Sequence, residues 1–304
     1  MDVTNDILAK NILRTVVYFD LFDYPLTAKQ IFQFLPQNSV STDDVYSAVE
    51  RLVKSNTLCT ERGYFYLLSS KKNIVQQRVE NERRAKRKLA VARFVAAFIK
   101  RFPYVRAVFL TGSLSKHVSP SASDIDFMIV TAEGRLWICR TLLTVFRRIF
   151  LFGSRKFFCT NYYVTENSYL HPKRNIYTAL EVVTTKAIWN ESAFMEFQLI
   201  NNWTKEFLPN CAPVSERELL ISSSRSLLQR FFELLLEFFP LHRLESQLME
   251  MHRRHWRQAF NDVSSEQFKS MFVISPDVSA CWSNEHQEPV LVQYHQKLLL
   301  LGLE

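Results

Sequence analysis

Glycine is scarce in this chain, with five among 304 residues, whereas phenylalanine is abundant at 25. Few glycines leave few positions for tight turns, so the composition favours helices over a loop-rich β architecture. The apolar runs are also short, and the longest ones, such as residues 231–239, are interrupted by glutamate. Such runs cannot cross a bilayer, and the N-terminal segment has no apolar signal core. We therefore expect no membrane partner and no signal peptide.

Cysteine is sparse and dispersed, with five residues of which no two form a Cys-x-x-Cys pair. An odd, scattered set argues against a disulfide framework and against a zinc site. Thiols that stay free are typical of a reducing compartment, so we expect a cytoplasmic protein. We also expect the protein to be bacterial. The formal net charge of +8 favours polyanionic partners such as nucleotides or nucleic acid.

Residues 1–70 are predicted to form a separate small module. Apolar spacing predicts helices over residues 7–19 and 41–54, and a capping-box pattern predicts a shorter helix over 28–35. A β-hairpin is predicted over residues 57–68, with its turn at a glutamate-arginine-glycine sequence. Three helices and a hairpin resemble a winged-helix domain.

The third helix of this module argues against DNA binding. It carries Asp43, Asp44 and Glu50, and its cations, Arg51 and Lys54, come only near its end. A helix that reads the major groove carries hydrogen-bond donors early in its sequence. We therefore expect a packing or protein-interaction module, with DNA recognition as the alternative.

The most informative pattern is a pair of apolar strands joined by a polar segment. The first strand covers residues 107–110, and the second alternates, with Phe127 and Ile129 on one face and Asp124 and Asp126 on the other. The two carboxylates thus point the same way, about 7 Å apart by the rise of a strand. Neighbouring like charges weaken a strand, whereas hard divalent cations require oxygen ligands. The pair therefore predicts a metal site.

Gly112-Ser113, ten further residues and then Asp124-Ile-Asp126 resemble the signature of the polymerase-β-like nucleotidyltransferases, over roughly residues 104–165. The resemblance implies an α+β fold with a mixed sheet. It implies that Gly112 and Ser113 hold the triphosphate of an NTP and that Asp124 and Asp126 bind two Mg²⁺ ions. Lys116 could contact phosphate or be a solvated loop lysine, and His117 stands where relatives often have glycine.

The third carboxylate that the resemblance implies is missing from the strand predicted over residues 157–164. Asn161 is the nearest polar residue, and an amide cannot accept a proton at neutral pH. Glu166, at the end of the strand, is one substitute. Glu181 is another, although near the start of a predicted helix it could simply favour the helix dipole.

The remaining chain is predicted to be mostly helical. A connecting helix over residues 71–103 contains the basic run 83–88, which is either a solvated face or a cationic wall beside the site. An amphipathic helix over 135–151 follows the second strand, and the resemblance then implies an antiparallel strand, completing a core of residues 104–175. A helical region is predicted over 176–304, with helices at 177–189, 192–207, 216–239 and 241–260.

Two functions are consistent with these features. The first is a Mg²⁺-dependent nucleotidyltransferase that moves an NMP from an NTP to a hydroxyl on a small molecule, a protein or an RNA end. The second is a catalytically weak or inactive nucleotide-binding regulatory protein with a winged-helix interaction module. The missing acid favours the second function, and the intact Gly-Ser and Asp-x-Asp pairs favour the first.

Overall fold

The computed structural model describes residues 7–171, 173–212, 215–222, 224–281 and 287–304 of an α+β protein. The helices are α1 Ile7–Asp20, α2 Ala28–Gln33, α3 Thr42–Lys54, α4 Ile74–Ile99, α5 Gly112–Ser115, α6 Leu136–Phe150, α7 Ile176–Thr184, α8 Glu191–Ile200, α9 Leu227–Leu236, α10 Leu241–Ala259, α11 Ser265–Met271 and α12 Gln287–Leu300. The strands are β1 Leu26–Thr27, β2 Leu58–Glu61, β3 Tyr64–Leu67, β4 Val105–Thr111, β5 Asp126–Thr131, β6 Cys159–Thr165, β7 Lys186–Trp189, β8 Phe272–Ile274 and β9 Val278–Cys281. In the described parts of the chain, no helix is both long and apolar enough to cross a membrane.

The N-terminal part contains the three predicted helices and the predicted hairpin. Thr27 and Ser41 cap α2 and α3, each through a reciprocal capping box, which satisfies backbone amides that a helix start leaves open. The short β1 adds to the β2–β3 hairpin in the order β1-β3-β2. The module thus consists of three helices against a three-stranded sheet.

A six-stranded mixed sheet in the order β7-β4-β5-β6-β9-β8 forms the centre of the protein. Its two faces are buried separately, because side chains alternate along each strand. Met128 and Val130 face a core shared with the N-terminal module, α7 and α8. Phe127 and Ile129 face a core shared with α4, α6 and α10. The alternation predicted for β5 is therefore confirmed.

The direction of β6 differs from the expectation. β6 runs parallel to β5 and antiparallel to β9. The crossover through α6 returns the chain to the end of the sheet where β5 began, and a crossover of this kind joins parallel strands. As a result, Cys159, the first residue of β6, is paired with Asp126, the first residue of β5.

The region 176–304 is not purely helical, because it also supplies β7, β8 and β9 to the main sheet. The helix predicted over 177–189 ends at Thr184, and Lys186–Trp189 pairs with β4 instead. A four-residue apolar segment suits a buried strand as well as a helix, and the open edge of β4 decides between them.

Two further predicted helices are shorter than expected. The one predicted over residues 192–207 ends as α8 at Ile200 and continues as a 3-10 helix, Asn202–Glu206. The one predicted over 216–239 is present only as α9. The Ile221 amide donates to the Ile188 carbonyl of β7 at 2.9 Å, so this part of the chain is held beside the sheet edge and not within a helix.

Candidate active site

The glycine turn after β4 lies directly against one of the two acids. Gly112 has φ +67°, a left-handed conformation that favours glycine. A Cβ atom at this position would be 2.5 Å from Asp126 Oδ2, closer than any van der Waals contact allows. Thr111 and Asp126 are paired across β4 and β5, so strand register places the turn on the carboxylate. Only glycine fits this position without displacing Asp126.

The two acids occupy slightly different positions from those predicted. β5 begins at Asp126, so Asp124 precedes the strand and does not lie within it. The intervening Ile125 is held by hydrogen bonds of 3.1 Å on both sides, donating its amide to Lys156 O and accepting from the Cys159 amide. Both acids are half-buried. Asp124 thus remains beside Asp126 at the start of β5, an inner strand of the sheet.

Burial raises the pKa of Asp126, and the negative charges of Asp124 and Glu181 raise it further. A hydrogen bond from the Cys159 thiol opposes the shift. Burial and the Asp126 charge also raise the pKa of Cys159, so the thiol stays protonated and donates. A bound cation would strongly stabilise the ionised form of Asp126, because it would offset both the cost of burying the charge and the repulsion from the neighbouring carboxylates.

The replacements proposed for the third acid lie in different places. Asn161 is near Asp126, and its Nδ2 donates to Cys159 Sγ at 3.0 Å. Glu166 lies past the opposite end of β6, where it is exposed and its amide donates to Thr131 O at 3.0 Å. The structure therefore does not bring Glu166 together with Asp126.

Glu181 reaches the site although it is 55 positions from Asp126 in the chain (181 − 126). It forms an ion pair with Lys116, with Nζ and Oε1 2.8 Å apart, and its charge acts on Asp126. It occupies the last half of α7, which ends at Thr184. A negative charge there is unfavourable for the helix dipole, so the dipole does not account for this residue.

Lys116 is not a solvated loop lysine. Its side chain is 17% exposed, and besides Glu181 its Nζ contacts the Gly112 carbonyl at 3.2 Å. One ammonium group thus connects the glycine turn to the Glu181 carboxylate. The backbone of Lys116 also contacts the N-terminal module, because the Tyr24 hydroxyl donates to its carbonyl at 3.0 Å.

His117 adopts the left-handed conformation with φ +56°. Its Nε2 lies 2.9 Å from Glu216 Oε1, and Lys186 pairs with the same carboxylate. Burial acts to raise the pKa of Glu216, but hydrogen bonds from His117 and Lys186 outweigh it and lower the pKa to about 2. The left-handed histidine is thus held by a contact that glycine could not make.

The basic run on α4 divides between solvent and the site. Arg83, Lys86 and Arg87 are exposed. Arg84 Nε instead donates to Ser119 O at 3.1 Å, and Lys88 Nζ donates to Ser123 Oγ at 3.1 Å. Residues four apart share a helix face, so these two cations hold the segment between the glycine turn and the acids. The solvated-face interpretation therefore does not apply to Arg84 and Lys88, and the cationic wall remains a prediction.

The donor set at the site consists of carboxylate oxygens, which suit a hard cation such as Mg²⁺. In the described residues, no three His, Cys, Asp or Glu side chains are arranged to hold a metal ion. Asp124 and Asp126 are two carboxylates, and Mg²⁺ is commonly bound by one or two carboxylates together with substrate phosphates. Lys88 and Lys116 add positive charge on either side, since both interact with Asp126.

Sequence reasoning missed Cys159, and it included Lys88 only as a member of the basic run 83–88. No local pattern identifies Cys159, because a register shift interrupts the alternation of β6 between the partners of Asp126 and Met128, and its pairing with Asp126 is set by the sheet. No local signal separates Lys88 from its exposed neighbours. Comparisons of the chain with protein-family models, with curated proteins and with solved structures find no significant match.

Proposed function

We propose that this protein is a Mg²⁺-dependent nucleotidyltransferase that moves an NMP from an NTP to a hydroxyl acceptor. The observation that carries the proposal is the contact between Gly112 and the Asp126 carboxylate. This contact brings together the two halves of the motif. One half is the glycine turn proposed to hold phosphate, and the other is the pair of acids proposed to bind metal. A chance pair of surface acids would not require glycine at a distant position.

In this proposal, Gly112 and Ser113 hold the β- and γ-phosphates, because a glycine turn lets backbone amides approach phosphate closely. Asp124 and Asp126 hold Mg²⁺, which when bound neutralises phosphate charge. The acceptor oxygen attacks the α-phosphorus, the bond to the β-phosphate oxygen breaks, and pyrophosphate leaves. Glu181 takes the acceptor's proton, since no acid is present in β6.

The architecture supports the same proposal. The mixed sheet brings the turn after β4 and the start of β5 together, as the polymerase-β-like resemblance implies. The three helices and three strands of the N-terminal module support a winged-helix-like unit. Asp43 and Asp44 begin its α3, where both are exposed, and this acidic start favours protein contact over DNA.

A nucleotide-binding regulatory protein is the second candidate. The hydrogen bond from Tyr24 to Lys116 favours it, because it connects the N-terminal module directly to the segment that would hold phosphate. Arg78 lies over the Tyr24 ring at 3.5 Å and pairs with Glu82, which fixes the contact from the α4 side. A bound nucleotide could therefore change the position of the module.

Nucleotide titrations separate the two candidates. The binding of each NTP is measured with and without Mg²⁺. Pyrophosphate release is then measured with a polyol, an RNA oligonucleotide or a protein as acceptor. The double variant Asp124→Asn plus Asp126→Asn should lose Mg²⁺-dependent binding, while Glu166→Gln, which removes an equivalent charge elsewhere, should keep it. Binding without pyrophosphate release supports the regulatory protein, and unchanged binding in the double variant refutes both.

A further inference from the structure

A buried arginine lies on the other side of the central sheet. Arg140 of α6 is only 6% exposed. Its guanidinium carbon lies 4.7 Å from the centre of the Tyr163 ring and 4.8 Å from that of Trp256. Both rings belong to the core between the sheet, α6 and α10, whereas Met128, on the face of β5 that carries Asp126, belongs to the other core.

The Arg140 guanidinium has donors without acceptors. Its Nε and Nη1 are buried and have no hydrogen-bond partner. The ion pairs of the described residues include none with Arg140, and the neighbours that favour its charge are the two aromatic rings and the Cys281 thiol. Aromatic faces attract the charge but leave the in-plane N–H groups unsatisfied, and an unsatisfied buried charged donor is among the most unfavourable groups in a protein.

A second arginine repeats this feature on the same helix face. Arg147, seven residues later, is half-buried, and its Nε is also buried without a partner. Burial and the neighbouring charge of Arg155 lower the pKa of Arg147. Burial similarly lowers the pKa of Arg140, and Arg147 and Arg155 add to the effect. Arg140, Arg147 and Arg155 thus repel one another. Among the described residues, no carboxylate forms an ion pair with Arg140 or Arg147.

The nearest histidine does not relieve this arrangement. Burial and the charge of Arg140 lower the pKa of His252 to about 4, so the imidazole is neutral at pH 7. Its Nε2 contacts Thr141 Oγ1 at 3.0 Å. The nearby Glu245 is already engaged, since it accepts from the amides of Trp137 and Ile138.

We propose that Arg140 and Arg147 form an oxyanion-binding site for a phosphate group, with the exposed Arg155 at its entrance. Guanidinium groups present planar, paired donors that match phosphate oxygens. A phosphate would accept from the three nitrogen atoms that lack partners, Nε and Nη1 of Arg140 and Nε of Arg147, and would offset the mutual repulsion of the arginines. Arg140 packs on the other face of the sheet from Asp126, while Arg147 and Arg155 also interact with Cys159, the hydrogen-bond partner of Asp126. The proposed site needs no metal, so it holds either free phosphate or a phosphate monoester.

Thermal unfolding in EDTA at constant ionic strength tests this proposal, with inorganic phosphate, glycerol 3-phosphate and chloride as separate arms. We expect a saturable rise of the unfolding midpoint with one or both phosphates and none with chloride. Arg147→Gln should weaken the response at least about tenfold, since hydrogen bonds to charged groups are strong. The matched control Arg148→Gln, at the exposed adjacent position, should respond as the wild type.

Two further variants make the result decisive. Arg140→Met should abolish the response and leave the phosphate-free protein as stable as the wild type or more so, because it removes an uncompensated buried charge. Asp126→Asn should retain the full response, which separates this site from the nucleotide site. The absence of a saturable shift in the wild type, or an equal shift in Arg147→Gln, refutes the proposal. Comparing the phosphate arms distinguishes free phosphate from a monoester.

Discussion

Replacing Gly112 by alanine tests the contact on which the proposed site depends. Two effects are expected, and they can be separated. The first is backbone strain, because a left-handed conformation costs a non-glycine residue about 1–2 kcal/mol. The second is the collision of the new Cβ with Asp126 Oδ2, which would be only 2.5 Å away, with Cγ at 3.3 Å.

The strain has a matched control in Gly134. Its φ of +61° is close to the +67° of Gly112, but a Cβ there would meet nothing within 4 Å. Alanine also lowers the conformational entropy of the unfolded chain, which raises the free energy of unfolding by about 0.4–1 kcal/mol. We therefore expect Gly134→Ala to lose about 1 kcal/mol of unfolding free energy and to bind nucleotide normally.

The collision should affect binding more than stability. The atom that must move is the end of a rotatable side chain, and turning it off its rotamer costs about 0.5–1.5 kcal/mol. The carboxylate is then displaced from its place beside Asp124. Losing one charged contact to the bound Mg²⁺-nucleotide weakens binding by about 1.5–3 kcal/mol, which corresponds to roughly a tenfold to hundredfold loss of affinity.

Urea denaturation without metal measures the stability of Gly112→Ala and Gly134→Ala, and calorimetric titration with Mg²⁺ and NTP measures their affinity. We expect both variants to be destabilised and only Gly112→Ala to lose affinity. If the two variants bind nucleotide equally well, the contact between the glycine turn and Asp126 has no role in binding. If neither is destabilised, the left-handed backbone assignment is wrong.

Three further results are expected. Burial raises the pKa of Asp126 in the folded state, so wild-type stability should fall as the pH rises from the usual aspartate pKa through the raised one. Asp126→Asn should remove this pH dependence of the free energy of unfolding, measured by urea denaturation between the usual and the raised pKa. An unchanged slope would contradict the claim that burial raises the pKa of Asp126. Glu181→Gln should lower pyrophosphate release by about 10²–10⁴-fold in steady-state assays, whereas Glu166→Gln should not; an inactive wild type or equal effects would remove Glu181 from the mechanism. Footprinting at physiological salt should detect no sequence-specific DNA site, and a footprint lost on deleting residues 1–70 would reverse this interpretation.

Local signals in the sequence determined much of the fold. The capping boxes at Thr27 and Ser41 each involve residues three apart, so their effect does not depend on the rest of the chain. The alternation of Phe127 and Ile129 with Met128 required only the period of a strand. The Gly-Ser and Asp-x-Asp pairs were equally visible, because each is a short contiguous motif.

The tertiary structure determined which distant residues lie beside these short motifs. Glu181 reaches Lys116 because α7 packs on the same sheet face as Asp126, and no pattern near residue 181 encodes that placement. The segment Lys186–Trp189 became a strand because β4 offered an unpaired edge. Short apolar segments are compatible with helix or strand, and only the hydrogen-bonding groups of a distant partner decide between them.

The same division applies to the charges. Composition determined that the chain is basic, but Lys88 and Arg147 resemble their exposed neighbours in sequence. Packing left Arg147 half-buried near the charge of Arg155 and placed Lys88 where it interacts with the two acids. Burial and charge–charge distances are properties of the folded chain, and they determine pKa values and unsatisfied donors. Sequence therefore indicated which chemical groups are present, and the fold determined which of them act on one another.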